Sequence, residues 1–261
     1  MRINTNVAAL GAHRNLFNTQ REVDASMARL SSGLRIARAA DDAAGLAIAN
    51  NLRASHRSLT QASNNAEQAN SFLSVAEGSA QTIEKILERQ RELVMQYTSD
   101  NNADADVQAA LVAEFDNLGA EVTRIIGATQ FNGAAVFSAT AKDFVVSDAA
   151  GADTISIAVD APAALALTGA ANMTTALVDA QLTSVNSLLG DIGSAQNRLD
   201  YTVSNLKNAI VNLSAAESVI RDVDMASEMA KFSKNNVLAQ AGTAMLAQAN
   251  QSGQSVLQLL R

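Results

Sequence analysis

Residues 62–94, ASNNAEQANSFLSVAEGSAQTIEKILERQRELV, carry the pattern that decides the fold. Apolar residues fall at Ala62, Ala66, Ala69, Leu73, Ala76, Ala80, Ile83, Leu87 and Val94, in alternating steps of four and three. Only Gln90 interrupts the series. That spacing is an a/d heptad, which keeps one stripe of a helix facing a partner helix. So many alanines on the stripe imply close helix approach. A second, shorter helix repeats the rule at Leu111, Phe115, Leu118, Val122 and Ile125. A third runs through Leu182, Val185, Leu189, Ile192, Gln196, Leu199, Val203, Leu206, Ile210, Leu213, Glu217 and Ile220. Its 39 residues would span roughly 58 Å at about 1.5 Å per residue.

Both ends are amphipathic too. Ile3, Val7, Leu10 and Phe17 share one stripe, and Val23, Met27, Leu30 and Leu34 follow after a phase shift. Near the other end, Leu238, Ala241, Met245, Ala249, Val256 and Leu260 do the same. These segments also contain Asn4, Asn6, Asn15, Asn18, Gly242 and Gly253, all poor helix formers. Such helices are marginal alone and need packing partners. The ends are therefore expected to order on association with each other and with other copies.

Between about 131 and 175 the period changes. Phe144–Val146 and Thr154–Val159 read as strands, and Asp148, Gly151 and Asp153 supply a turn between them. The expected fold is mainly α: an elongated antiparallel coiled-coil or helical bundle with a small β-hairpin insert and paired N- and C-terminal helices.

Composition agrees and excludes much. The chain has 261 residues, 48% hydrophobic but only 3% aromatic, with one proline, no cysteine and no tryptophan. A core must come from Ala, Leu, Ile and Val, and almost nothing breaks a helix. Without cysteine there are no disulfides, thiol chemistry or thiolate zinc sites. The net charge of −7 argues against nucleic acid as a partner. Residues 1–40 nevertheless hold six arginines against Glu22 and Asp24. No stretch approaches the ~18 apolar residues of a membrane helix, and MRINTNVAALGAHRN has no signal-peptide core.

Motifs that imitate chemistry have simpler readings. Asp100–Asp106 resembles the start of a calcium loop, but Ala105 replaces the glycine of the turn and Leu111 the final carboxylate. Asp104 or Asp106 is better read as a helix cap. Asp41 and Asp42 read as a cap for a helix beginning near Ala43, neutralised by Arg35 and Arg38. His13 and His56 lie on polar, arginine-flanked faces, without zinc spacing. The chain is read as a non-enzyme without cofactor or metal.

Several segments resemble bacterial flagellin, the filament subunit: Arg2-Ile3-Asn4-Thr5-Asn6-Val7, Leu30–Ile36, Asp41–Ile48, Arg91-Glu92-Leu93, Thr129-Gln130-Phe131-Asn132-Gly133 and Val256–Arg261. They occur in the family's order and cover roughly 1–135 and 180–261. The middle departs, holding about 45 residues where flagellins usually carry large outer domains, and Ala37-Arg38-Ala39-Ala40 replaces the family's usual run.

The resemblance implies two domains: residues 1–42 with 221–261 as an inner coiled coil lining a channel, and 43–220 as a surrounding helical domain. It implies a homopolymer assembled through Val7, Leu10, Phe17, Leu238, Met245, Val256 and Leu260. It implies unfolded export through the flagellar type III apparatus without a cleaved signal peptide, and an extracellular location. The implied partners are a chaperone on the C-terminal helix, a filament cap, a junction protein and the host innate receptor, the last at Arg89, Leu93 and Glu114. Two rivals are the related hook–filament junction protein and an enzyme or carbohydrate-binding module in the β insert, which lacks an aromatic platform.

Overall fold

The computed structural model describes residues 6–99, 104–148, 154–160 and 168–259, with the side chains of Ala139 and of 252–259 excepted. The expected Ile3, Leu260, Asp100–Ala103, Gly151 and Asp153 lie outside the described residues. Five α-helices dominate: α1 (Val7–Ser32), α2 (Ala43–Tyr97), α3 (Ala105–Ala128), α4 (Thr175–Arg221) and α5 (Met225–Leu259). Between α3 and α4 lie two antiparallel hairpins, β1–β2 (Gln130–Phe131, Ala134–Ala135) and β3–β4 (Ser138–Val145, Thr154–Val159). Among the described residues no helix is long and apolar enough to cross a membrane. The chain divides into a terminal unit, residues 1–54 and 212–261, and a middle unit, residues 55–211.

In the middle unit, every member of the α2 series from Ala62 to Val94 is buried, Gln90 included. Polar pairs fix an antiparallel α2–α4 register at successive levels. Lys207 Nζ lies 3.1 Å from Glu67, Asn70 Nδ2 donates to Asp200, Gln196 Nε2 donates to Glu77, and Arg91 Nε lies 2.7 Å from Asp179. Gln90 Nε2 donates to the Phe115 carbonyl of α3 at 3.0 Å, while its Oε1 is buried without a partner. The interruption in the apolar series is thus an interhelical tie. An unpaired buried acceptor costs about 1–3 kcal/mol.

The α4 stripe needs correction. The buried residues are Val178, Gln181, Val185, Leu188, Ile192, Leu199 and Leu206, whereas Leu182 and Leu189 are only half-buried. Leu182 packs against both apolar clusters of the unit, so α4 presents a wide face to several neighbours rather than a narrow two-helix seam.

The β3–β4 hairpin pairs Val145 with Thr154, and β4 alternates outward and inward along its whole length. The strands therefore extend further back than Phe144. Phe72 of α2 anchors this region: its ring centroid lies 5.8 Å from that of Phe131, edge to face, and 6.1 Å from that of Phe144. Lys142 Nζ stands 4.6 Å from the centre of the same ring. The β1–β2 turn places Asn132 and Gly133 at φ 51° and 75°. Both are left-handed, as a two-residue type I′ turn requires.

Phe72→Ala should therefore cost about 3–5 kcal/mol and loosen both hairpins together. Thermal unfolding with amide exchange at Phe131 and Phe144 reads this out, with faster exchange expected at both.

Candidate assembly surface

In the terminal unit, α1 and α5 run antiparallel. Asn6 Nδ2 donates to the Ala249 carbonyl near one end, and Ser26 Oγ donates to Glu228 Oε1 near the other at 2.7 Å. The inward stripe of α1 is Ala9, Ala12, Leu16, Thr19, Val23, Ser26 and Leu30, and that of α5 is Glu228, Phe232, Asn235, Ala239, Gly242, Leu246 and Ala249. Both are heptads, but of mostly small or polar residues. At Gly242 an added Cβ would sit 3.2 Å from Leu16 Cδ1, so Gly242 packs directly against Leu16.

This changes the place of the residues expected to pack the ends together. Val7, Leu10, Phe17, Leu238 and Met245 stay between 48% and 69% exposed. The expected stripes are displaced from the buried ones by one or two residues, at about 100° each. The inward stripes mix small residues with Leu16, Leu30, Phe232 and Leu246, and the large residues one position away from them face outward. Val256 lies on α5 beyond the last described side chain. The five are exposed apolar side chains on helices that have already found their partner within the chain.

A polar clamp holds the two connections of this unit. Gly33 (φ 70°) caps α1, its N–H donating to the Arg29 carbonyl. Beyond it, Arg35 N–H donates to the Arg221 carbonyl and Val223 N–H to the Gly33 carbonyl. The Arg35 guanidinium donates to the Ile220 carbonyl at 2.6 Å, a cation at the negative end of α4. Arg35 thus serves α4 rather than neutralising Asp41 and Asp42. The pair of aspartates also divides. Asp42 Oδ1 accepts from Gly45 N–H and caps α2, whereas Asp41 Oδ2 accepts from the N–H groups of Arg38 and Ala37. Those two N–H groups, Arg38 first, hold the Asp41 carboxyl below its ordinary range. Buried Glu228 also lies 3.6 Å from Arg29 Nη1 and 3.8 Å from Lys231 Nζ. Asp104 caps α3, accepting from Asp106 N–H. Arg53 and Arg221 both meet Glu217, Arg53 Nε at 2.9 Å.

On α2 and α3, Arg89 joins Glu92 and Glu114, its Nη2 lying 2.9 Å from Glu114. Leu93, expected to share that face, is instead fully buried with Val94, Phe115, Met173 and Val178. It falls one helical turn after Arg89 but beside the seam residue Val94, and the seam takes it inward. Among the described residues no group of acidic or histidine side chains could hold a metal.

Asp41 has a testable pH signature. A carboxyl with a lowered folded pKa stabilises above its unfolded value of 3.8 and loses that contribution as pH falls through the folded value. Protection of the Ala37 and Arg38 amides, taken relative to their intrinsic exchange rates at each pH, should therefore fall as the solution is acidified below about pH 4, and Asp41→Asn should flatten that dependence.

Comparisons with known proteins match the helical parts of the chain on either side of the β3–β4 hairpin region. Residues 3–142 match the family model of the bacterial flagellin N-terminal helical region, and residues 175–260 match that of the C-terminal helical region. A flagellin of Halalkalibacterium halodurans is 44% identical, and a flagellin of Bacillus subtilis 39%. The flagellar filament 33 kDa core protein of Treponema phagedenis is 40% identical. Each match covers all of both chains. The chain belongs to the bacterial flagellin family.

Proposed function

We propose that this chain is the repeating structural subunit of an extracellular flagellar filament, acting in motility as a homopolymer. The observation that carries this reading is the exposure of the apolar Val7, Leu10, Phe17, Leu238 and Met245 on a helix pair already closed within one chain. Neighbouring copies would cover them. Full-length similarity to flagellins and to a filament core protein supports the same reading. Residues 1–42 and 221–261 form the inner coil in this proposal, with 43–220 around it.

The finer parts of the reading follow from the chain's physics. A sequence with no cysteine and one proline suits unfolded passage through the flagellar type III apparatus without a cleaved signal peptide. Small-residue pairing of α1 and α5 gives ends that open readily before assembly. An export chaperone would take the exposed apolar side of α5 around Val237, Leu238 and Met245. A filament cap and a junction protein would meet the same terminal unit at the polymer's ends. Host innate recognition would fall on the exposed Arg89 and Glu114 pair. A junction protein of the same family remains the second reading, separated by polymer length.

Deleting residues 238–261 should abolish filament growth on wild-type seeds while leaving residues 55–211 folded. Electron microscopy and circular dichroism together check this, and long filaments from the deleted chain would contradict it.

A further inference from the structure

Asparagine is followed by glycine at a single place in the sequence, Asn132-Gly133, in the turn between β1 and β2. Both residues are exposed, and Asn132 is the only non-glycine among the described residues held at positive φ. Among the described residues, neither the Asn132 side-chain amide nor the Gly133 N–H has a hydrogen-bond partner. A Cβ built on Gly133 would meet nothing within 4 Å, so the turn stands open to water. Glycine carries no side chain to shield its own backbone nitrogen, and asparagine is a chemically labile residue. Asparagine also precedes serine at Asn70 and Asn186, but both pairs lie inside helices, α2 and α4. There the following N–H is spent on the helix ladder, and the Asn70 amide also donates to Asp200.

We propose that Asn132-Gly133 is a self-modification site, at which the chain converts its own asparagine to isoaspartate. The Gly133 nitrogen gives its proton to hydroxide and bonds to Asn132 Cγ. The bond from Cγ to the amide nitrogen breaks, and ammonia leaves with a proton taken from water. Water then opens the resulting succinimide. Where it breaks the bond from the Gly133 nitrogen to the former backbone carbonyl, an α-carboxylate is freed and the chain runs on through Cβ and Cγ. A water is consumed, an ammonia is released, and nothing is oxidised or reduced. The product has an extra backbone methylene and an added negative charge, and a type I′ turn is not built for the longer backbone. That turn closes the pairs Phe131–Ala134 and Gln130–Ala135, above a bond from Val136 N–H to the Thr129 carbonyl. Phe131 rests edge-on against Phe72. Conversion therefore loosens Phe131 from its pairing, while Phe144 keeps the separate β3–β4 ladder.

The full-length chain, aged folded in mildly alkaline buffer and digested with trypsin, tests this by mass spectrometry. The peptide 125–142 should gain the mass of an amide-to-acid change and react as isoaspartate in a methyl-acceptor assay. Conversion there should run at least about tenfold faster than at Asn70 and Asn186, which wait on local opening of a helix. Amide exchange at Ala134 should quicken in the aged chain. Asn132→Asp keeps a turn-forming pair and an ordinary backbone, so it should release no ammonia at this site and keep slow exchange at Ala134. A chain aged in denaturant supplies the reference. A peptide 125–142 that converts in denaturant but stays unchanged in the folded protein would overturn the proposal, because the turn would then shield the site. So would conversion to aspartate alone, or conversion no faster than at Asn70 and Asn186.

Discussion

The contact of Leu16 with Gly242 governs the terminal unit. The two helices approach to a distance that a single added methyl at Gly242 would oppose, with 3.2 Å left to Leu16 Cδ1. The shared stripe mixes alanine, serine and threonine with Leu16, Leu30, Phe232 and Leu246. Phe17 and Met245 fall one position from that stripe and stay exposed although the helix pair is closed. Solvation of that area is unfavourable by roughly 25 cal/mol per Å², which gives neighbouring copies something to gain.

The clamp at residues 33–42 and 219–228 does the complementary work. Close pairing of small residues is weakly directional, and side chains of similar size tolerate sliding. Glu228 removes that freedom. Its carboxylate is buried, accepts from Ser26 and faces Arg29, and leaving it without those partners would strand a charge away from water. Arg35 on the last carbonyls of α4 and the backbone bonds between Gly33, Arg221 and Val223 fix where each helix ends.

Much of this was legible in the sequence where one helix faced one partner. The whole α2 series from Ala62 to Val94 is buried, because a long seam with a single neighbour obeys the heptad without distortion. The α4 stripe held at Val185, Ile192, Leu199 and Leu206 and widened beside them, with Leu188 buried and Leu189 half-buried, because that helix serves several neighbours at once. The terminal stripes were right at Val23, Leu30 and Ala249 and displaced at Leu10, Phe17, Leu238 and Met245, which lie one position from inward residues. Leu93 was placed on a surface by the family resemblance, yet it sits next to the seam residue Val94 and is buried. Phe72 escaped notice for a related reason: it adjoins Leu73 on the seam but faces the hairpins. The Asn132-Gly133 turn was available in the sequence as a type I′ signal and entered the sequence reading only as part of a larger resemblance. The roles of Asp41, Asp42 and Arg35 depended on which backbone groups lay free nearby, and no spacing rule reveals that.

Gln90 has a consequence beyond its single bond. A seam built largely of alanine is nearly self-similar every seven positions, and repetition of that kind offers many almost equivalent alignments during collapse. One amide that finds its carbonyl only opposite Phe115 breaks the degeneracy. Replacing it with leucine would relieve an orphaned oxygen and give a tighter, yet less discriminating, chain. The imperfection is what makes one alignment count.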